Sequence, residues 1–288
     1  MPPLSSTGRS SPPQTLPQSV LEYNILTLPS NSYTPSRFLA ILGIILYALC
    51  LLPHAIRLFL HRTWAFSTLT LITCAFEIIG YVFRLRSTAP PIGDPYSVIN
   101  FVVQYFFIVV APVFFSAAIY TTLTSMISAL GDNRMRLWRG RKWIVAVFVS
   151  CDVVATIVQV AGAALIGVAE SNRKSPTTAN NILLAGLAFQ VFTFLIFISL
   201  LGSFIYSARK GAVSRGESGM MQFTLAVVVA TLLIYLRTIF RLAETAEGVG
   251  GYASRQEGLF GGLEFAPVVL AVGLLGWWHP GKFVPRGR

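Results

Sequence analysis

Charged side chains are scarce in this chain of 288 residues. Lysine, arginine, aspartate and glutamate together make up 11% of the sequence, whereas hydrophobic residues make up 54% and the mean hydropathy is +0.67. A soluble domain of this size carries roughly 25% charged residues. The deficit excludes an ordinary soluble domain and is typical of a protein whose surface faces lipid.

Cysteine is also rare, with three residues in the whole chain. Cys50, Cys74 and Cys151 all lie inside apolar stretches, so the sequence predicts no disulfide between outer loops. No Cys-x-x-Cys pair and no two histidines three to five residues apart, the usual ligands of a structural zinc site, occur in the chain. We therefore expect buried thiols that act as small hydrophobic groups, with no metal site and no cofactor.

The usual signatures of catalysis and of nucleotide binding are missing. The chain has no glycine-rich loop followed by Lys-Ser/Thr, no Gly-x-Ser-x-Gly and no His-Glu-x-x-His. The sequence therefore predicts a protein that is not an enzyme. The formal net charge of +11 is explained by basic residues that flank apolar segments, where they orient helices and attract anionic lipid. We expect no binding to nucleic acid.

Seven apolar stretches, each about as long as the 20 residues that cross a bilayer as a helix, dominate the chain. Because every backbone group must be hydrogen-bonded internally in lipid, these stretches are predicted to be helices. The fold class is an all-α membrane protein, a bundle of seven transmembrane helices over residues 37–281. The predicted spans are about 38–60, 64–85, 98–130, 144–168, 182–207, 221–242 and 258–278.

The two ends of the chain differ from the rest. Residues 1–36 are rich in serine and proline and are predicted to form a disordered extracellular tail, and residues 282–288 form a short basic cytoplasmic tail. Basic residues gather in alternate links, most of all between the third and fourth stretches. The positive-inside rule then places the N-terminus outside and the C-terminus in the cytoplasm. The basic residues of that link are Arg134, Arg136, Arg139, Arg141 and Lys142.

Polar residues inside the spans are the candidate functional residues. A charge near the bilayer centre costs at least about 2.5–3.5 kcal/mol, so such groups face the bundle interior and have a partner or a task. Counting about 1.5 Å per residue along each helix places all of them except Asp152 in the outer half of the membrane. The candidate substrate-binding residues are Glu77, Tyr81, Arg84, Gln104, Asp152, Gln159, Gln190, Arg237, Arg241, Glu244 and Glu264.

Two of these sets follow helical spacing. Glu77, Tyr81 and Arg84 share one face of the second helix, and the stretch from Arg237 to Glu244 repeats the arrangement on the sixth. Two interpretations are open. The stripes form ion pairs that hold the bundle together, or they line an amphipathic cavity, open to the outer side, whose carboxylates receive a cationic or hydroxylated head group.

Three further residues affect the helices themselves. Pro112 in the third stretch and Pro267 in the seventh each remove a backbone hydrogen bond, and we expect static bends there. His54 follows Pro53 near the inner end of the first stretch. We expect it to lie at the membrane interface.

Short motifs in a fixed order connect the seven stretches to a known family. The chain resembles the fungal RTA-like family, also called lipid-translocating exporters, from about Tyr33 to Gly281. The matching pieces are Tyr33-Thr-Pro, His54, Glu77-Ile-Ile-Gly80-Tyr81, Arg84, Gln104, Ala111-Pro112, Tyr120, Asp152, Gln159, Gly162, Gly186, Gln190, Arg237, Phe240-Arg241, Glu244, Gly248, Gly251, Glu257, Glu264 and His279-Pro280-Gly281. Glu264 departs from the pattern, since relatives tend to carry aspartate at that position.

The resemblance implies a fungal protein that exports or flips sphingoid long-chain bases and contributes to resistance against toxic amphipathic compounds. We expect a transporter in the plasma membrane whose partners are membrane lipids and an amphipathic small-molecule substrate. Glu77, Glu264 and Asp152 would receive the amine. Arg84, Arg237 and Arg241 would balance those charges or meet an anionic group.

An alternative from another class is a seven-helix receptor or stress sensor that binds a lipid or porphyrin-like ligand without transporting it. The motifs of the familiar receptor families are missing, namely Asp-Arg-Tyr after the third stretch and Asn-Pro-x-x-Tyr in the seventh. This argues against those families but not against sensing.

The charge pattern makes a prediction about topology. An epitope placed at Arg139 should stay protected when intact cells are treated with external protease, whereas an epitope at the N-terminus should be cleaved. Immunoblotting before and after permeabilisation measures both. Cleavage at Arg139 on intact cells would contradict the orientation and the depth assigned to each polar residue.

Overall fold

The computed structural model describes residues 35–61, 63–88, 90–94, 97–130, 141–172, 174–212, 218–248 and 251–283. The predicted extracellular tail and most of the two basic segments, 134–142 and 282–288, lie outside these residues. Within them the secondary structure is helical and no strand is present. The prediction of an all-α bundle is confirmed.

Seven helices of the described chain are long and apolar enough to cross a membrane, as the sequence predicts. The chain is therefore an integral, multi-pass membrane protein. The first six helices, numbered in chain order, are Arg37–His61, Trp64–Arg86, Val98–Leu130, Arg141–Ser171, Thr177–Ala212 and Ser218–Ala246. The seventh comprises Glu257–Leu259, a π-helical segment Phe260–Phe265, and Ala266–Trp277. Two short helices flank it, Tyr252–Arg255 and Pro280–Phe283.

The π-helical segment is where the seventh helix differs from the regular helix that was expected. Pro267 has no backbone N–H, so the carbonyl of Leu263 one turn earlier has no donor at that position. The wider turn of Phe260–Phe265 lies directly before the proline. Segments of this kind are frequent at functional sites, and Glu264 lies in this one.

Neighbours in the chain are largely neighbours in space. The second helix packs against the first and third, the fifth against the fourth and sixth, and the seventh against the sixth and first. The third helix also meets the fourth and the sixth. This arrangement brings the second, third, sixth and seventh helices to one side of the bundle, and the third, fourth and fifth to another.

The first and seventh helices are joined by a buried histidine. His54 is fully buried and donates from Nε2 to the carbonyl of Val272 over 3.1 Å. Gly276 leaves room for the ring, since a Cβ there would lie 3.2 Å from His54 Nε2. The expectation that His54 lies at the depth of the membrane interface stays a prediction, and the structure adds that the seventh helix covers its ring.

The fourth and fifth helices approach closely at two glycines. A Cβ on Gly162 would lie 2.6 Å from the backbone nitrogen of Leu183, and one on Gly186 would lie 3.1 Å from the carbonyl oxygen of Ala155. Small residues at such contacts let helix backbones approach in membranes. Any side chain at Gly162 has to push the two helices apart.

This contact generates a prediction with a control on the same helix. Gly162→Ala should lower the free energy of unfolding of the detergent-solubilised protein by about 1–3 kcal/mol, because the added methyl group overpacks the interface. Its melting temperature should fall accordingly. Gly167→Ala should be neutral or stabilising, since nothing lies within 4 Å of a Cβ at that position and alanine is the better helix former. Equal melting temperatures for the two variants would show that the helices do not depend on this contact.

Candidate functional site

Seven charged side chains from the second, sixth and seventh helices form a group that we call the charged cluster. Most of its members are buried, and ion pairs connect them across helices. A buried ion pair is favourable only when its geometry is good, because each charge has lost its hydration. The members are Glu77, Arg84, Arg237, Arg241, Glu244, Glu257 and Glu264.

Arg237 is the centre of this cluster. Its Nη2 donates to Glu264 Oε1 over 2.5 Å and to the carbonyl of Ile108 over 3.2 Å. That carbonyl is available because Pro112, four residues later on the third helix, has no N–H to donate to it. Arg237 therefore joins the sixth helix to the third and the seventh at once.

The other two arginines extend the cluster towards one end of the bundle. Arg241 donates from Nη1 to Glu244 Oε2 over 2.8 Å, and its Nε lies 3.8 Å from Glu264 Oε1. Arg84 donates from Nη2 to Glu257 Oε1 over 3.4 Å. The stripe of the second helix thus pairs with the seventh helix, not with the stripe of the sixth.

Aromatic faces cover both of these arginines. The Arg84 guanidinium lies 3.9 Å from the ring centroid of Phe260, and that of Arg241 lies 4.9 Å from the centroid of Tyr105. A ring face attracts a cation and also excludes water from it. The charges are therefore held in a largely dry environment.

Glu77 is the member without a direct ion pair among the described residues. Its side chain is buried, with 2% of the residue exposed. Arg237 and Glu264 lie within electrostatic reach, and the Tyr47 hydroxyl of the first helix lies beside the carboxylate. Neither Glu77 Oε2 nor the Tyr47 hydroxyl has a hydrogen-bond partner within the described protein.

Two more atoms at this place share that property. Arg237 Nε and Glu264 Oε2 are buried and have no hydrogen-bond partner within the described protein. Buried polar atoms in native proteins are nearly always paired, so an unpaired group calls for an explanation. Two carboxylate oxygens that accept, from Glu77 and Glu264, therefore lie near two groups that donate, Arg237 Nε and the Tyr47 hydroxyl.

The charges of the cluster do not balance. It holds one more carboxyl group than guanidinium groups, since Glu77, Glu244, Glu257 and Glu264 face Arg84, Arg237 and Arg241. Each guanidinium already has a carboxylate of its own. The unmatched carboxyl group is Glu77, which lies near the buried Tyr47 and Tyr81 side chains.

Tyr81 and Gln104 adjoin the cluster without belonging to its ion pairs. Tyr81 is fully buried, and its ring lies 5.8 Å from that of Tyr47 and 5.3 Å from that of Phe265. Gln104 is buried one turn before Ile108 on the third helix. Tyr81 lies within electrostatic reach of Glu77 and Arg237.

The remaining three sequence candidates lie elsewhere in the bundle. Asp152 Oδ2 accepts a hydrogen bond from the Tyr120 hydroxyl over 2.7 Å, between the fourth and third helices. Gln159 Nε2 donates to Gln190 Oε1 over 2.8 Å, between the fourth and fifth. The single set of candidates from the sequence is therefore divided by the structure into three places.

The sequence did not predict three groups that contact the charged cluster. Tyr47 has no feature that separates it from other aromatic residues of the spans. Glu257 lies one residue before the predicted seventh span, 258–278, a position that favours an acidic residue at a helix N-terminus. The Ile108 carbonyl could be inferred from Pro112, since a proline frees the acceptor four residues before it.

Comparisons with known proteins match most of the chain. The family model described as "RTA1 like protein" matches residues 70–287. The chain is 28% identical over 279 residues to "Sphingoid long-chain base transporter RSB1" of Saccharomyces cerevisiae, which covers 85% of this chain and 71% of the relative. It is 28% identical over 200 residues to "Protein RTM1" of the same organism, and the match covers 69% of this chain and 62% of the relative.

A relative from a filamentous fungus is similar over a comparable length. "Probable lipid transporter atnI" of Emericella nidulans is 25% identical over 266 residues, which cover 88% of this chain and 67% of the relative. No solved structure shows a significant match to the chain. The family model spans well over half of the sequence and includes six of the seven long helices. The chain therefore belongs to the RTA1-like family.

Proposed function

We propose that this protein is a translocase that moves sphingoid long-chain bases across the bilayer, and that Glu77 receives their ammonium group. The observation that carries the proposal is the buried Glu77 carboxyl group, which has no guanidinium of its own in a cluster with one excess carboxyl group. A bound ammonium supplies the missing positive charge. A carboxylate removed from water needs such a partner.

The unpaired atoms around Glu77 fit the rest of a sphingoid head group. Such a base carries hydroxyl groups next to its amine, and these both donate and accept hydrogen bonds. Glu77 Oε2 and Glu264 Oε2 accept, whereas Arg237 Nε and the Tyr47 hydroxyl donate. A simple alkyl amine satisfies only the carboxylates, so the arrangement favours a hydroxylated amine.

The names of the relatives support the same substrate class. One is called a sphingoid long-chain base transporter and another a probable lipid transporter. We place the protein in the plasma membrane with its N-terminus outside, which puts the charged cluster in the outer half of the bilayer. Glu264 has a longer side chain than the aspartate expected from the family pattern, so it reaches further towards Glu77.

Glu77→Gln tests the role of the unmatched carboxyl group. The change keeps the shape and removes the charge, so fungal cells that depend on this protein should lose tolerance to added long-chain bases while the amount of protein in the membrane stays normal. Glu247→Gln is the control, because it makes the same change at an exposed carboxylate that accepts from the backbone of Ala253. Growth on the base and immunoblotting measure the two quantities.

The two interpretations of the cluster give different results in this experiment. If Glu77 only supports the fold, Glu77→Gln lowers the amount of protein and leaves the activity per molecule unchanged. If both quantities match those of Glu247→Gln, Glu77 has neither role and the proposed amine site is wrong.

A translocase and a sensor are separated by reconstitution of the purified chain. Vesicles that contain the protein should move a fluorescently labelled long-chain base between leaflets faster than protein-free vesicles. Binding of the base without faster movement would support the sensor and overturn the translocase.

The ion pair at the centre of the cluster generates a prediction about stability. Arg237→Ala leaves the Glu264 carboxylate buried without its main partner and should cost roughly 3–5 kcal/mol. Arg255→Ala should cost little, because Arg255 is exposed. Thermal unfolding in detergent compares the two variants.

A double variant checks that the loss comes from an unpaired charge. Arg237→Met combined with Glu264→Leu removes both charges, and such replacements of buried ion pairs are often neutral or stabilising. We expect the double variant to be more stable than Arg237→Ala and inactive in transport. A double variant less stable than either single change would show that the pair does not act as a unit.

A further inference from the structure

The pair formed by Asp152 and Tyr120 is a second buried acidic site, separate from the charged cluster. Asp152 is 2% exposed and Tyr120 is 1% exposed. One carboxylate oxygen, Oδ2, accepts from the Tyr120 hydroxyl over 2.7 Å, and the other, Oδ1, is buried without a hydrogen-bond partner in the described protein. No lysine, arginine or histidine of the described residues forms an ion pair with Asp152.

The surroundings of this pair are mostly apolar, and the buried hydroxyl of Ser116, one turn before Tyr120 on the third helix, is the polar exception. The third and fifth helices pack against the fourth, which carries Asp152. The Tyr120 ring lies 5.7 Å from Phe148, 6.2 Å from Phe194 and 4.4 Å from Phe197. The titratable groups that face the pair are Tyr120 itself, from the third helix, and Cys151, from the fourth. The fifth helix contributes phenyl rings.

The pair lies too far from the charged cluster to share a small head group with it. Tyr120 follows Ile108 on the same helix, and the carbonyl of Ile108 is bound by Arg237. At a rise of about 1.5 Å per residue, roughly 18 Å of helix separates the two places. An amine held at Glu77 therefore does not reach Asp152.

We propose that Asp152 is a proton-binding site and that the protein couples the movement of its lipid substrate to the movement of protons. In a dry site, one phenol hydrogen bond compensates for only part of the hydration that a carboxylate loses. A proton on Oδ1 removes the charge without requiring any further side chain. Acidic residues in such places form the proton relays of membrane transporters.

Packed aromatic rings connect the proposed proton site with the sixth helix. The Phe194 ring lies 6.2 Å from that of Tyr120, and it stacks on Tyr235 of the sixth helix at 6.0 Å with an interplanar angle of 6°. Arg237 follows Tyr235 by two residues on the sixth helix. A change of charge at Asp152 that shifts Tyr120 thus acts through Phe194 and Tyr235 on the sixth helix, which carries the arginine of the substrate site.

The proposal rests on the proposed function, and vesicles containing the purified full chain separate the two. Wild-type protein should exchange labelled long-chain base between leaflets without a pH gradient, and an imposed gradient should drive net movement. The leak through protein-free vesicles is subtracted. Failure of exchange would overturn the proposed function. Exchange between leaflets without net movement of the base under the pH gradient would overturn only the proton coupling.

Asp152→Asn is the decisive variant, because asparagine keeps the acceptor for Tyr120 and cannot bind the proton. It should retain exchange and lose gradient-driven movement. Thr122→Val is the matched control, since it removes a buried hydroxyl of the third helix that bonds only within its own helix, to the carbonyl of Ala118. It should keep both activities.

Two results would overturn the role of Asp152. Gradient-driven movement at the wild-type rate in Asp152→Asn shows that the proton binds elsewhere. Loss of both exchange and driven movement at normal protein levels shows that Asp152 supports the fold or the substrate site instead.

A measurement on the wild-type chain is independent of transport. Infrared difference spectra recorded across a change of pH should contain a carboxylic acid band that is missing in Asp152→Asn and present in Thr122→Val. An unchanged band in Asp152→Asn would contradict the proton site even if that variant folds poorly.

Discussion

The ion pair between Arg237 and Glu264 is the interaction on which the charged cluster depends. Both side chains are withdrawn from solvent, and each leaves the other as an uncompensated charge if it is removed. Arg237 also binds the Ile108 carbonyl that Pro112 leaves without a donor. One guanidinium therefore joins the third, sixth and seventh helices, and it holds the Glu264 carboxylate that Arg241 also approaches.

The fold could be predicted from the sequence because bilayer thickness and internal hydrogen bonding act on each segment separately. The ion-pair partners of the buried side chains could not be predicted, since they depend on how each helix is rotated against its neighbours. Arg237 and Glu264 were both candidates, yet nothing in the order of residues pairs them in preference to Glu77. The burial of His54 could not be predicted for the same reason, because it depends on Gly276 of a helix far along the chain.

The two buried acidic sites show how surroundings divide similar groups between different tasks. Glu77 lies among guanidinium groups and unpaired polar atoms, which suits a charged, hydroxylated ligand. Asp152 lies among phenyl rings with a single phenol as donor, which is consistent with the proton site proposed above. The residue type is nearly the same at both places. The neighbours on adjacent helices, which no single stretch of sequence contains, make the difference.

A single excess carboxyl group is also the imbalance that transport requires. A cluster with equal numbers of both charges satisfies itself and has no reason to attract an amine. A cluster with several unmatched carboxylates would hold a cation too tightly to release it and would be costly to bury. Conduction through a membrane needs a site that is favourable enough to enter and weak enough to leave. In the proposed amine site, Glu77 is the one unmatched group. The ion pairs around Arg237 then hold the helices together with and without the bound amine, and binding and release of the amine change the pairing of Glu77 alone.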